Sequence, residues 1–545
     1  MASAVRLCET ERARVRPARN RRWAARERPC RRLRDLPRER RGRQRREHAP
    51  RQPCGSRSEG KRSQTDGRPA IHHFRATRPL ALSVRCGHQC SMNVLIWFRN
   101  DLRVADHPAL ARAADDRVLP LAIVDPAEWA DPARSGRQWA FRAECLADLR
   151  ADLAALGAPL AVRVGDAQAV LSKLCKLHRI GRILCLEDPA FAELDLALQA
   201  WAGGTGLDFI RLKPGAGAPA ALTPLPAVEP GPIPPARALR LAEDRCPHRQ
   251  PGGRPQGQLL LQSFLERRGA LYRDGRNRLL QAERASSRLS PHLAAGTLSR
   301  EEVLAAVAAR LAERPDADWV RSLGAFRAAL ASGAPGARGA VCPPGRPGGG
   351  GSPRGYLDQT EGEADALRLR LAALHAGETG LPFVDAALRA MAASGWLPAR
   401  LRGMLASVAL HHLGLSEQAA GAALAAGLTD HSPPIHWAQM RRVALGRPVD
   451  PERLAGVLDP DGAFTRRWLP ELAEVPDRVL QAPWRWEGAR GLLGRRYPEP
   501  LVDPSAARAA GRTLARRPTA RVEVIEGAAP RRPASDPTQQ LCLDL

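Results

Sequence analysis

Residues 272–299 hold the first pattern capable of chemistry: Tyr272, then Ser286-Ser287-Arg288-Leu289-Ser290-Pro291-His292, then Gly296-Thr297-Leu298-Ser299. Clustered hydroxyls and free backbone N–H groups near a helix start form a cradle for phosphate. Further on, Gly377-Glu378-Thr379-Gly380 makes a turn before an apolar helix, and Gly395-Trp396-Leu397 is followed by Arg400 and Arg402. Asp430-His431 then precedes Ile435-His436-Trp437. Arg400 and Arg402 stand two apart on one helix and so point to different faces, one toward a ligand or carboxylate and the other toward solvent or DNA. An imidazole such as that of His431 exchanges its proton near physiological pH. Plainer readings stand beside these: the serines as a helix N-cap, Trp396 and Trp437 as core anchors, His431 as a surface loop residue. His411-His412 has no Cys or acidic partner at ligand spacing, and no Cys/His cluster has metal spacing, so no metal is expected.

The elements that must position these residues begin near Met92. Asn93–Phe98, Leu119–Val124, Leu160–Val164, Arg182–Leu186 and Asp208–Leu212 are short apolar runs of buried-strand type. Between them apolar residues recur at helical spacing, most clearly Phe141, Cys145, Leu149, Leu153 and Leu156. Strands alternating with helices predict a five-stranded parallel, Rossmann-like sheet over residues 92–215, with ligands at the carboxyl ends of its strands. There is no GxGxxG after the first strand and no P-loop, which excludes a standard dinucleotide or NTP site. Residues 216–257 lose periodicity and read as a linker. From 258 to 515 the pattern is helical, with Ser299–Glu302 as a capping signal and with 332–364 and 441–458 irregular. Residues 516–545 read as a tail.

The net charge of +27 is unevenly spread. Residues 1–91 hold 26 Arg/Lys against 8 Asp/Glu and supply +18 of it, leaving +9 for the rest. This segment has no apolar period and reads as a disordered basic extension. A nucleic-acid-binding arm and a transit peptide are alternatives, but the reading favoured is an upstream extension outside the native protein, with initiation at Met92. No run of about 18 apolar residues exists, so no membrane span is expected. The six scattered cysteines beyond the extension fit reduced thiols in a cytoplasmic protein.

Trp97-Phe98-Arg99-Asn100-Asp101-Leu102-Arg103 with Asp106-His107-Pro108-Ala109-Leu110 resembles the opening of the cryptochrome/photolyase family. The Ser286–Ser299 string, the Gly377–Arg402 region, Ile435-His436-Trp437, and Phe464–Leu472 with Tyr497-Pro498-Glu499-Pro500 resemble later segments of the same family, in its order. The resemblance covers about residues 92–330 and 365–515. It implies a helical domain holding FAD, with Tyr272 and Ser286, Ser287, Arg288, Leu289 and Ser290 at its phosphates, Arg400 and Asp430 as further contacts, and His431 facing the flavin ring. Trp396 and Trp437 would be redox-active. It implies a monomeric, light-dependent lyase that repairs pyrimidine dimers flipped out of UV-damaged DNA, with room for a second, light-harvesting chromophore. The same architecture also serves cryptochrome photoreceptors without repair activity, and a degenerate homologue that has lost FAD is a third class.

Two departures bear on activity. Where relatives carry a Trp-Arg-Glu/Asp-type motif, near Ser332-Gly333, this chain has a Gly/Pro/Arg stretch. Where relatives continue with a Gly/Thr/Asn-rich segment, Arg441–Leu458 stands instead, and the family pattern returns at Asp459. Compensating frame changes in a GC-rich gene and lineage-specific loops are the two explanations, the first favoured.

Overall fold

The computed structural model describes residues 92–215, 217, 221–332 and 361–503. The extension expected at 1–91, the tail expected at 516–545 and residues 333–360 of the Gly/Pro/Arg region lie outside the described residues. Both the sheet and the helical region belong to one unit, Cys86–Leu545.

Strands β1 (Asn93–Phe98), β2 (Arg117–Val124), β3 (Ala161–Val164), β4 (Arg182–Leu186) and β5 (Asp208–Leu212) form a sheet in the order β3-β2-β1-β4-β5, and every pairing is parallel. The reason is visible in β1. Val94, Ile96 and Phe98 enter one core while Leu95 and Trp97 enter another on the opposite face. A strand apolar on both sides must lie inside a covered sheet. The helix Gly136–Ala155 covers one face, burying Phe141, Cys145, Leu149 and Leu153 at the predicted spacing.

A sixth strand, β6 (Thr223–Pro224), lies inside the segment read as linker and pairs with Arg117 and Val118. It shares an edge of β2 with β3, which pairs further along from Leu121. The segment is pinned to the α/β domain: Trp139 donates its indole N–H to Pro234 O at 3.0 Å, and Arg137 binds Asp244 at 2.6 Å. Of the segment expected as a linker, residues 221–253 are therefore a bound strap, and its last residues open the helix Arg254–Ser263. Loss of hydrophobic period reads as a linker in sequence because polar and backbone bonds, which carry no period, do the anchoring.

The helical region begins with Arg254–Ser263. Its larger core gathers around the helix Pro382–Ser394. A second cluster holds Phe264, Tyr272, Leu289 and Phe326. The capping signal forms: Ser299 Oγ accepts the Glu302 N–H at 2.9 Å. The expectation of irregular backbone across 441–458 is corrected. The helix Pro433–Ala444 runs through its start, and Pro451–Leu458 is a helix capped by Asp450. Pro451, Ala455 and Leu458 are its buried face, a helical spacing. Only the segment between these helices is irregular.

The Thr379-Gly380 turn and the C-terminal segment meet at a buried carboxylate. Asp385 accepts from Thr379 N–H at 2.8 Å, Thr379 Oγ1 at 2.7 Å, Gly380 N–H at 3.0 Å and Tyr497 Oη at 2.5 Å. Tyr497→Phe removes one bond to this group and should cost about 1.5–3 kcal/mol. Denaturant unfolding checks this, with Phe retaining the ring's packing.

Candidate functional site: a cavity between the sheet and the helices

A cavity of about 800 Å³ lies between the carboxyl edge of the sheet and the helical region. From the sheet come Arg99, Asn100 and Asp101, directly after β1, and Glu187 and Asp188 after β4. From the helical side come Ser290, Trp396, Arg402, Asp430, His431 and His436.

The residues after β1 are fixed before any ligand arrives. The Arg99 guanidinium binds Asp195 at 2.6 Å and lies over the Trp97 and Phe191 rings, 5.1 and 4.6 Å from their centroids. Burial opposes ionisation of Asp101, yet bonds from the His107 ring and the Arg99 N–H hold its carboxyl below the ordinary range. This turn also braces the serine loop. Leu102 N–H donates to Ala295 O at 3.1 Å, Arg103 to Gly296 O at 3.2 Å, and Ser299 Oγ to the Asp106 carboxylate. Two motifs far apart in sequence are thus one structural joint.

Within Ser286–Ser290, Ser290 lines the cavity, and further along Gly296 and Ser299 do as well. Ser290 is 6% exposed, and its Oγ has no hydrogen-bond partner among the described residues. Ser286, Ser287 and Leu289, expected at the ligand, are buried behind the wall. Tyr272, also expected at the ligand, lies nearby. It sits in an aromatic cluster, 5.8 Å from Phe264 and 5.4 Å from Phe326 between centroids, and not on the wall. Arg288 is also behind the wall, in the left-handed region at φ 60°. Its guanidinium binds Glu283 at 2.8 Å and stacks 4.5 Å from the centroid of Trp396, which does line the cavity.

Arg402, and not Arg400, faces the cavity. Two helical positions differ by about 200° in direction, so only one can. Arg402 makes a two-pronged pair with Asp430, Nη1 to Oδ1 at 2.9 Å and Nη2 to Oδ2 at 2.8 Å, while Nε donates to Leu397 O at 2.7 Å. The fork fixes both side chains at once.

His431 lines the wall with its Nδ1 unpartnered among the described residues. Burial, then the charges of His436 and Arg134, push its pKa well below the ordinary value, so the ring is neutral. His436 follows, 5.1 Å away between centroids and pushed down to about 4, chiefly by burial. It donates Nε2–H to Gly421 O at 2.9 Å. Trp437 lies behind the wall, 5.4 Å from His436. It packs where a Cβ on Gly421 would stand 2.3 Å from its ring. It therefore stands one ring behind His436, while Trp396 lines the cavity itself. Ile435, His436, Gln439, Met440 and Val443 also line the cavity. Their helical period was available in sequence, but lay across the boundary of the stretch read as lost pattern.

Buried neutral imidazoles make stability depend on pH. His292, fully buried, is pushed down to about 4 by burial. Its folded pKa lies below the unfolded value, so its contribution is complete above about pH 6.5 and is lost as pH falls toward 4. By pH 5 the loss is about 2 kcal/mol for this group. Unfolding at pH 7 and pH 5 measures it: His292→Phe should shrink the difference by about 2 kcal/mol, the remainder belonging to other buried imidazoles such as His431 and His436.

Residues 94–212 match the family model of DNA photolyase, and residues 354–516 match that of the FAD binding domain of DNA photolyase. The chain belongs to the cryptochrome/photolyase family. It is 29% identical over 487 residues to a cryptochrome DASH of Gloeobacter violaceus, spanning 75% of this chain and 93% of the relative. It is 28% identical over 483 residues to a deoxyribodipyrimidine photo-lyase of Streptomyces griseus, spanning 76% and 97%. Its fold is shared with an archaeal photolyase from Sulfolobus tokodaii described with two FAD molecules, at TM-score 0.59 and 21% identity, over 78% of this chain and 99% of that one.

The family's FAD-binding domain is present, and the residues fit its cofactor. The cavity has the volume of a large-ligand site. Ser290 and His431 line it, and each has a buried polar atom, Oγ and Nδ1, without a partner among the described residues. Arg402–Asp430 and Trp396 make the wall beside them. Among the described residues there is no cluster of three or more metal-ligating side chains, and no helix is long and apolar enough to cross a membrane.

Proposed function

We propose that this protein is a light-dependent flavoprotein that splits pyrimidine dimers in UV-damaged DNA, working as a cytoplasmic monomer. The observation that carries the reading is the cavity itself. It is one continuous space whose wall combines an unsatisfied buried hydroxyl, a neutral imidazole and a fixed Arg–Asp fork. Bound FAD supplies the light absorption and the one-electron reduction that opens the dimer. Ser290 donates a hydrogen bond to the cofactor's phosphate region. Arg402, held by Asp430, presents an oriented positive charge to the flavin. His431, neutral, offers or accepts a hydrogen bond without adding charge. Trp396 walls the site, and the edge-to-face series His431, His436, Trp437 leads from the cavity to the half-buried Trp437. The sheet-side half of the cavity is where a second chromophore would sit.

A second reading, a photoreceptor without repair, draws support from the likeness to cryptochrome DASH and from the Gly/Pro/Arg stretch near Ser332, where the lesion-facing motif is expected. Illuminating the purified protein with an oligonucleotide carrying cyclobutane dimers decides between them. Light-dependent loss of dimers supports repair. Flavin photoreduction without dimer loss supports the photoreceptor. For the binding site, Ser290→Val should weaken flavin affinity about tenfold, read from the flavin-to-protein absorbance ratio of the purified protein.

A further inference from the structure

The helix Arg254–Ser263 widens into the turn Phe264–Arg268, whose last residue has an unusual set of partners. Wide turns of this kind recur at functional sites. The Arg268 guanidinium donates to Ser286 O at 2.6 Å, Ser287 O at 3.3 Å, Leu260 O at 3.1 Å, Arg284 O at 3.3 Å and Ser263 Oγ at 3.0 Å. None of these partners carries a negative charge. Burial, then the positive charges of Arg288 and Arg267, press against its ionisation. Two guanidinium groups therefore share one partly buried place; the exposed Glu283 binds Arg288, Asp430 also favours the Arg288 charge, and among the described residues the hydrogen bonds of Arg268 go to neutral oxygens. The loop that Arg268 holds by two carbonyls leads to Ser290, which lines the cavity and whose buried Oγ has no partner among the described residues.

We propose that Arg268 is a positioning residue that fixes the Ser286–Ser290 loop and supplies, through it, the positive charge that a diphosphate-bearing ligand neutralises. This rests on the flavin reading above. Gln250 completes the brace: it donates to Arg288 O at 2.8 Å and accepts from Arg288 Nε at 3.0 Å.

The test titrates flavin-stripped full-length protein with FAD, following flavin fluorescence, alongside melting of the flavin-free forms. Arg268→Met should weaken FAD binding at least tenfold, about 1.4 kcal/mol. Arg268→Lys, keeping the charge, should stay within about threefold of wild type. Either outcome overturns the proposal: Arg268→Met binding FAD like wild type, or Arg268→Lys no better than Arg268→Met with both losses following a lower flavin-free melting temperature. Should Arg268→Met not fold, Arg268→Lys alone decides, with threefold supporting and tenfold overturning. Wild-type protein that takes up no FAD overturns the flavin reading itself, which this comparison of variants keeps separate.

Discussion

Arg402→Met is expected to yield protein without flavin and less stable by about 3–5 kcal/mol, because one charge of a buried pair is left alone. The Asp430 side chain is 2% exposed and Arg402 supplies both of its forked bonds. Removing the guanidinium strands a carboxylate in a cavity wall. The double variant Arg402→Met/Asp430→Leu separates the two effects. Stability should return, since an apolar pair replaces an ion pair at little net cost. Flavin retention should not return, since the oriented charge is gone. Recovery of both would mean that the pair only holds the helices together. Chemical denaturation and the flavin-to-protein absorbance ratio are the two readouts.

Gly296→Ala is expected to be comparably severe for a different reason. Gly296 has φ +69°, and a Cβ there would stand 2.1 Å from Asn100 O and 2.6 Å from Asp101 Cα. Both obstacles are backbone, so neither can swing aside. The serine loop and the turn after β1 would have to separate, breaking the Leu102–Ala295 and Arg103–Gly296 bonds. The expected loss is on the order of 3–5 kcal/mol, with flavin retention falling in step. Gly324 is the internal control. It lies within the helix Ala317–Ser332, and a Cβ there would meet nothing within 4 Å. Gly324→Ala should be neutral or stabilising by up to about 1 kcal/mol.

The sheet was legible because burial writes a direct pattern. β1 is apolar on both faces, and the Phe141–Leu153 series repeats every four residues. The strap was not, because its anchors are Trp139 to a carbonyl and Arg137 to Asp244, contacts with no period. The helix Pro451–Leu458 carries its own sequence signals. Its Asp450-Pro451 start and 451/455/458 face are ordinary helix signals, but they sit where the family pattern lapses, and a resemblance carries no information there. Within the site, Ser290, Trp396, Asp430 and His431 were found in sequence and line one cavity. Arg400 and Arg402 could be told apart only by the helix phase, and Tyr272 only by the aromatic cluster that claims it. A residue's type shows what chemistry it can do, but which way it faces is decided by packing from elsewhere in the chain.

The central claim is that the cavity holds FAD, and the cofactor content of the purified full-length chain tests it most directly. The account predicts yellow protein with a flavin spectrum, releasing on denaturation a compound identified as FAD at close to one per chain. Colourless protein that also fails to take up added FAD would contradict it.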